Sequence, residues 1–370
     1  MMKEPIRILQ VVTTMNLGGL ENFLMNIYRN INREKIQFDF LMHRHEKSVF
    51  DDEIEALGGK IFKLGPITPK RYFKYQNELK AFLKNHPEYQ IIHSHINENN
   101  AMVLSAAQDL RLKIRIAHSH ASATTSKYKF LRELLIKRLS QFTTHRIACS
   151  EAAGKWLFKD NSFIIMNNSI DTRKYTFDID ARSHFRKSLQ IKDSETVIGN
   201  VSRFSNVKNH TFLLEVFDCY CTLNPNAKLI LVGDGELRSV LEQKIKELKI
   251  NDKVIFTGAI KNAEAYLNTM DVYLFPSLFE GMPLALIEAQ TNGLPILMSD
   301  SISKDVELTD LVTRKSLQHS ARDWAEKIVE LEGEFKSNNR LKYVQKIVDA
   351  QFDINESVDK LEEFYIKLSK

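Results

Sequence analysis

Short apolar runs rich in β-branched residues alternate with helix-period stretches along most of this chain, and the alternation occurs twice with a break between. Strands are expected at Ile6–Val12, Phe38–Met42, Lys60–Leu64, Gln90–His93, Ile114–His118 and Arg146–Cys149. Helical stretches such as Leu20–Ile31, Tyr72–Leu83 and Phe130–Phe142 lie between them. A β-α-β-α order demands a parallel sheet covered on both faces. Residues 166–195 are polar and lack a strong period, so they read as a linker and domain boundary. The alternation then resumes, with strands at Thr196–Ser202, Lys228–Val232, Val254–Thr257, Val272–Phe275 and Pro295–Met298, and helices at Asn209–Thr222, Glu236–Leu248 and Pro283–Asn292. The final roughly 50 residues read as helical. The expectation is two doubly wound α/β domains in tandem. Ligands of such sheets bind beyond the carboxyl ends of the strands, so chemistry is sought there.

The 370 residues suffice for about two domains. A content of 43% hydrophobic and 27% charged residues excludes a wholly disordered or collagen-like chain. No apolar run is long enough to span a bilayer, and the N-terminal residues read as a first strand rather than a signal peptide. Cys149, Cys219 and Cys221 give no disulfide framework and fit a reducing compartment. Residues 1–190 hold 30 Lys+Arg against 19 Asp+Glu, a net of +11; the remainder holds 22 against 28, a net of −6. The basic half fits nucleic acid, anionic lipid or a phosphate-bearing substrate.

Several motifs fall at strand ends. Gly18-Gly19 follow the first strand and precede a helix, where a backbone can approach an anion. Gly233-Asp234-Gly235 resembles a dinucleotide turn, but Arg238 stands where a third glycine belongs and no acidic residue follows at a second strand's end. Arg203 at a strand end and Lys208-Asn209 at a helix start suit a diphosphate, or equally a solvated loop. The segment 276–295 is the most informative. Glu280 lies in a loop, Pro283 suits the first turn of a helix, and Glu288 lies one and a half turns in. Two such carboxylates can hold separate hydroxyls of one ligand, and the free amides of Gly281, Met282 and Leu284 can bind phosphate.

Histidines cluster at two strand ends, His93-Ser94-His95 and His118-Ser119-His120. Residues i and i+2 of a strand face the same way. The four imidazoles fit a metal site, a substrate hydrogen-bonding site, or plain polar strand ends, and no carboxylate or cysteine stands beside them at ligand spacing. Asp178-Ile179-Asp180 spells a string associated with metal-held nucleotide sugars, but it lies in the polar linker and reads as chance. The helical stretch from Lys127 to Phe142 has an apolar face with a basic rim, which suits core packing or an anionic lipid surface.

Taken in order, "HSH" at 118–120, "NNSID" at 167–171, "SRFSNVKN" at 202–209, "LVGDGELR" at 231–238, "VIFTG" at 254–258 and "FEGMPLALIEA" at 279–289 resemble the retaining glycosyltransferases of family 4, nearest to the bacterial group that builds exopolysaccharide or capsule repeat units. The resemblance covers nearly the whole chain and is most specific in its second half. It implies the GT-B fold, two Rossmann-like doubly wound domains facing a cleft. Residues 1–170 would bind the acceptor, residues 171–352 the nucleotide sugar, and the helix 353–370 would pack back on the first domain. It implies that Arg203 and Lys208 hold the diphosphate, Glu280 contacts the transferred sugar and Glu288 the ribose. Gly19 would pack near the distal phosphate, His118 near the sugar's hydroxymethyl, and Phe256 with Gly258 would border the base. Gly18, His120, Asn209, Gly233, Gly281, Met282, Pro283 and Leu284 complete the expected substrate-binding set, with Arg203, Lys208, Glu280 and His118 as the expected catalytic residues. His120 is an extra imidazole that the motif leaves without a role, and Ser169 stands where the family usually has glycine.

The resemblance implies transfer of a hexose or N-acetylhexosamine from a nucleotide-diphosphate sugar, UDP-linked by preference, to a glycan or lipid-linked glycan acceptor, with retention. No cofactor, metal or nucleic acid is expected. A cytoplasmic enzyme, peripheral on the anionic inner face of the plasma membrane, fits the basic first half. The alternatives are a GT-B nucleotide-sugar epimerase, a non-catalytic sugar-nucleotide or lipid-binding partner of a polysaccharide assembly complex, and a histidine-based metal hydrolase.

Overall fold

The computed structural model describes residues 4–120, 129–260, 262–280, 282–335 and 339–370. Gly281, Lys127 and Tyr128 lie outside the described residues. The chain divides into two compact units, Met1–Ser169 with Ile354–Lys370, and Ile170–Asp353.

The first unit is built on seven strands: β1 (Ile6–Val12), β2 (Ile36–Met42), β3 (Ile61–Lys63), β4 (Ile91–Ser94), β5 (Ile114–Ser119), β6 (His145–Ala148) and β7 (Ile164–Ile165). All neighbours are parallel, in the order β3-β2-β1-β4-β5-β6-β7. Alternate residues feed opposite cores. Ile8 and Val12 join Phe38, Phe40 and Met42 beneath the helices Gly19–Asn30 and Ile354–Leu368. Leu9, Val11 and Leu41 join Tyr75, Leu79 and Leu104 on the other face, under the helices Tyr72–Asn85 and Asn100–Asp109. Burial on both faces is why β2 is buried along its whole length.

The second unit has six parallel strands, β8 (Thr196–Val201), β9 (Ala227–Val232), β10 (Val254–Gly258), β11 (Val272–Phe275), β12 (Ile296–Ser299) and β13 (Val312–Lys315), in the order β10-β9-β8-β11-β12-β13. Strand order reverses between β1 and β4 in the first unit and between β8 and β11 in the second. These are the topological switch points, where a doubly wound sheet opens a crevice.

Three sequence expectations are corrected. Strand β7 has only two residues, and β13, Val-Thr-Arg-Lys, is too polar to register as an apolar run. The polar segment 166–195 is not merely a linker, for it contains the helices Thr172–Tyr175 and Ile179–Ser188. The second of these buries an arginine rather than an apolar stripe. Arg186 is 2% exposed, donates to the Thr269 and Lys192 carbonyls and lies 3.3 Å from Asp271 Oδ2. Hydropathy cannot register an anchor of that kind. Finally, Pro283 is not inside the first turn. It is the N-cap of the helix Leu284–Thr291, with φ −74° and ψ 110°.

Candidate functional site

In the second unit, three loops leave the carboxyl ends of the strands and are stitched together by main-chain bonds. The loop after β8 bonds to the loop after β9 through Phe204 N–H to Asp234 O at 2.9 Å and Leu237 N–H to Phe204 O at 3.2 Å. It also bonds to the loop after β11 through Leu278 N–H to Val207 O at 2.8 Å. Gly233 makes the first join possible. Its φ is +138°, and a Cβ there would overlap the Ser202 carbonyl. A side chain at Gly235 would likewise meet the Phe204 backbone.

Lys208 comes from the loop after β8 and Glu280 from the loop after β11, so they straddle the switch point. Their side chains meet, Nζ to Oε1, at 2.5 Å, and each is only about one-fifth exposed or less. The ammonium also lies 5.0 Å from the centre of the Phe275 ring. Arg203 stands on the same loop, 73% exposed, and pairs with Glu236 at 3.0 Å. The long guanidinium is therefore held lightly, in solvent, and is free to exchange partners. Ser277, which the sequence reading missed, is 1% exposed with its Oγ unpartnered among the described residues, while its carbonyl accepts from Ser299 and Ser301.

Glu288 is half-buried in the helix Leu284–Thr291. Burial pushes its carboxyl up to about 7, Tyr175 opposes this through a hydrogen bond, and Glu264 reinforces it by like-charge repulsion. The buried Leu284 opens the same helix, and Met282 packs partly buried against the core beneath it. Other expected residues have structural work. Asn209, in the left-handed conformation at φ 55°, donates its amide to Pro276 O at 3.1 Å. Phe256 packs edge-on to Phe204, and the Arg238 guanidinium covers it 4.0 Å from the ring centre. Gly258 ends β10 at φ +74° and its carbonyl accepts from Gly233 N–H. The Asp178-x-Asp180 string is explained as well, because Asp178 Oδ1 caps its helix by accepting from the amides of Asp180 and Ala181.

The first unit has its own polar centre at the β1/β4 switch point and the neighbouring end of β5. His93, His95, His118 and Gln10 are buried, 2% exposed or less, and His120 is half-buried beside them. His93 Nε2 lies 3.2 Å from His118 Nδ1, and His95 Nδ1 lies 2.9 Å from His120 Nε2. Tyr365, from the helix Ile354–Leu368, reaches His93 Nδ1 at 2.6 Å, and Gln10 bonds both Tyr365 and His95. Burial keeps the imidazoles neutral by pushing each well below its ordinary value, His120 to about 3.

His93, His95 and His118 offer nitrogens within 4.8 Å of one another, a spacing short enough for a shared cation. Yet His93 and His118 point those atoms at each other, and both nitrogens of His95 are taken by Gln10 and His120. Coordination would have to break that chain, so the donor set fits hydrogen bonding better than a metal. Gly18 is the N-cap and Gly19 the first residue of the helix Gly19–Asn30. The Glu21 carboxylate folds back over Gly18, and burial raises its proton affinity. The anion-binding end of that helix thus already faces a carboxylate of the chain itself.

Residues 181–346 match the family described as glycosyl transferases group 1, and residues 17–174 match glycosyltransferase family 4. EpsF of Bacillus subtilis (strain 168) is 32% identical over 332 residues, covering 87% of this chain and 86% of EpsF. The UDP-Gal:alpha-D-GlcNAc-diphosphoundecaprenol alpha-1,3-galactosyltransferase of Escherichia coli is 26% identical over 304 residues, covering 76% of each chain. Among solved structures, Anabaena Alr3699/HepE in complex with UDP-glucose superposes with a TM-score of 0.79 at 19% identity, covering 98% of this chain and 99% of that one. The chain belongs to the family 4 glycosyltransferases, and its two parallel-sheet units have the GT-B fold.

Proposed function

We propose that this glycosyltransferase moves a hexose or N-acetylhexosamine, with retention, from a UDP-sugar to a lipid-linked saccharide acceptor in exopolysaccharide or capsule synthesis. The observation that carries the reading is the Lys208–Glu280 pair at the switch point of the second unit. It supplies a cation for a leaving diphosphate and a carboxylate for sugar hydroxyls, side by side. Cleavage of the anomeric C–O bond puts negative charge on the diphosphate and leaves an oxocarbenium-like sugar. Lys208 and the exposed Arg203 meet that developing charge, with help from the amides at the start of the helix Leu284–Thr291. Glu288 accepts from the ribose hydroxyls. The departing phosphate takes the acceptor hydroxyl's proton as the new glycosidic bond forms on the face the leaving group vacates. The UDP donor is supported by the UDP-glucose complex of HepE and the donor named for the E. coli relative.

The first unit supplies the acceptor side. A groove of about 390 Å³ is lined by Ile67, Tyr72, Phe73, Met102, Leu131 and Leu134, with Arg138 at its edge. Phe73 is 80% exposed and Phe130, on the adjoining helix Lys129–Phe142, is 86% exposed. An open apolar groove beside cations suits a polyprenyl diphosphate lodged at an anionic leaflet. The acceptor of the E. coli relative is alpha-D-GlcNAc-diphosphoundecaprenol. Among the described residues no helix is long and apolar enough to cross a membrane, so the enzyme is proposed to sit peripherally on the inner face of the plasma membrane.

The test begins with a panel of nucleotide sugars, read by thermal shift, because a bound donor raises the melting temperature by mass action. The stabilising donor is then incubated with a short polyprenyl-diphosphate saccharide. The new linkage should keep the donor's anomeric configuration by NMR coupling constants. An inverted product overturns the mechanism, and free sugar epimerisation without acceptor overturns the transfer itself.

A further inference from the structure

The imidazole cluster of the first unit is a hydrogen-bond circuit with two open ends, His118 Nε2 and His120 Nδ1, both buried and without a partner among the described residues. Each ring is neutral, so each carries one N–H and one lone pair. Gln10 joins the two branches. Its Nε2 donates to the Tyr365 hydroxyl oxygen at 3.1 Å, and its Oε1 accepts from His95 Nε2 at 2.8 Å. Having accepted from Gln10, Tyr365 turns its own proton toward His93 Nδ1, 2.6 Å away. His93 must then carry its proton on Nε2 and give it to His118 Nδ1 at 3.2 Å. His118 is left with Nε2–H. That atom is buried, on a residue 0% exposed, and has no partner among the described residues. Along the other branch His95 donates from Nε2, so its Nδ1 accepts from His120 Nε2–H at 2.9 Å. All four rings therefore hold their proton on Nε2. Reversing the Gln10 amide would reverse every bond in both branches and move every proton to Nδ1. The circuit thus has two self-consistent polarities, and one amide selects between them.

We propose that Gln10 and Tyr365 are positioning residues that lock this circuit in one polarity, so that His118 presents Nε2–H as a donor to an accepting oxygen of the ligand. A buried donor without a partner costs stability unless something fills its place. A sugar hydroxyl or a phosphoryl oxygen fills it; an ammonium or an amide N–H pointing the same way is refused. The identity of that ligand rests on the glycosyl-transfer reading, whereas the tautomers do not.

The experiment is long-range ¹H–¹⁵N correlation of the imidazole rings in full-length, ¹⁵N-histidine-labelled protein near pH 7.5, assigned with single histidine substitutions. His93, His95, His118 and His120 should all show an unprotonated Nδ1 and a protonated Nε2. Gln10→Glu makes the hub accept on both sides. Tyr365 must then donate to it, which moves the protons of His93 and His118 to Nδ1 and leaves His95 and His120 unchanged. The same variant should lose about tenfold or more in kcat/KM. Tyr365→Phe removes the hydroxyl without adding charge and should leave His118 as a mixture of tautomers, with a severalfold loss. A wild-type His118 protonated on Nδ1 overturns the proposal, as does a Tyr365→Phe spectrum identical to wild type. If Gln10→Glu fails to fold, those two spectra still decide. Correct tautomers without stabilisation by any sugar nucleotide would leave the circuit standing and overturn the glycosyl-transfer reading instead.

Discussion

Lys208 Nζ lies 2.5 Å from Glu280 Oε1, although the two residues leave different strands of the second sheet and three helix-strand units lie between them in the chain. The pair is half-enclosed, so its mutual attraction is stronger than that of a surface pair, and either partner left alone is penalised. Lys208→Ala should lower kcat by about 100-fold or more, the usual cost of losing one charge-stabilising donor. Steady-state kinetics with the stabilising donor checks this, and circular dichroism confirms that the fold survives. Near-normal turnover would remove Lys208 from the site.

Glu288 gives a pH signature. Its folded-state value is raised to about 7, above the ordinary carboxylate range. The native state therefore holds a proton that the unfolded chain has already released, and the contribution of Glu288 to stability falls as pH rises from about 4.5 to 7. Glu288→Gln, which has no proton to lose, should melt higher than wild type at pH 8, on the order of 1–2 kcal/mol after allowing for partial exposure. It should also weaken donor binding at that pH, since the ionised carboxylate is what accepts the ribose hydroxyls. Equal melting temperatures at pH 8 would contradict the burial argument.

Buried histidines set the opposite slope. His43 and His210 are pushed down to about 4, His120 to about 3, and His93, His95 and His118 also lie well below the ordinary imidazole value, all chiefly by burial. The unfolded chain binds those protons first, so their stabilising effect is complete above about pH 6.5 and is lost as pH falls toward the folded-state values. The unfolding free energy from urea titrations should drop steeply between pH 6.5 and 5, by up to about 1.4 kcal/mol per pH unit for each histidine kept neutral. A flat profile would mean that the cluster is hydrated.

Gly233→Ala tests the stitching of the loops. The left-handed φ and the Ser202 carbonyl both oppose a methyl group, so the second unit should lose about 2 kcal/mol or more. Donor affinity should fall with it, because Lys208 and Arg203 ride on the loop that would be displaced. Differential scanning calorimetry and donor titration read the two effects separately.

The exposed aromatics of the first unit predict membrane behaviour. Phe73→Ser with Phe130→Ser should reduce flotation with anionic vesicles severalfold, while leaving the melting temperature within about 1 °C because neither ring is in the core. Equal recovery of wild type and variant with the vesicles would sink the assignment of this face.

Much of the fold was legible in the sequence, because a parallel strand buried on both faces must be a continuous apolar run. β1 was read at its observed bounds, and most of the others within a residue or two. The elements that escaped are those whose stability does not come from apolar periodicity. The helix Ile179–Ser188 is fastened by Arg182 and Arg186 to Asp271 and to backbone carbonyls. The four-residue helix Thr172–Tyr175 is tied through Thr172 to Asp353 at the far end of its unit.

The sequence also placed Lys208 at a helix start and Glu280 in a loop, each just beyond a strand, since local pattern alone locates a strand's carboxyl end. It could not join them, nor show that Asn209 and Phe256 spend their polar and aromatic surface on the protein itself. Gln10 and Tyr365 are 355 positions apart and meet at 3.1 Å, and nothing around either residue announces the other. Order along the chain is a matter of local propensity and strand patterning, so composition and motif spacing were enough to determine two wound sheets and the ends where polar residues gather. Which of those residues touch, which are buried and which nitrogen of a histidine keeps its proton depend on groups brought together only by crossover and packing, and the tertiary structure alone decided them.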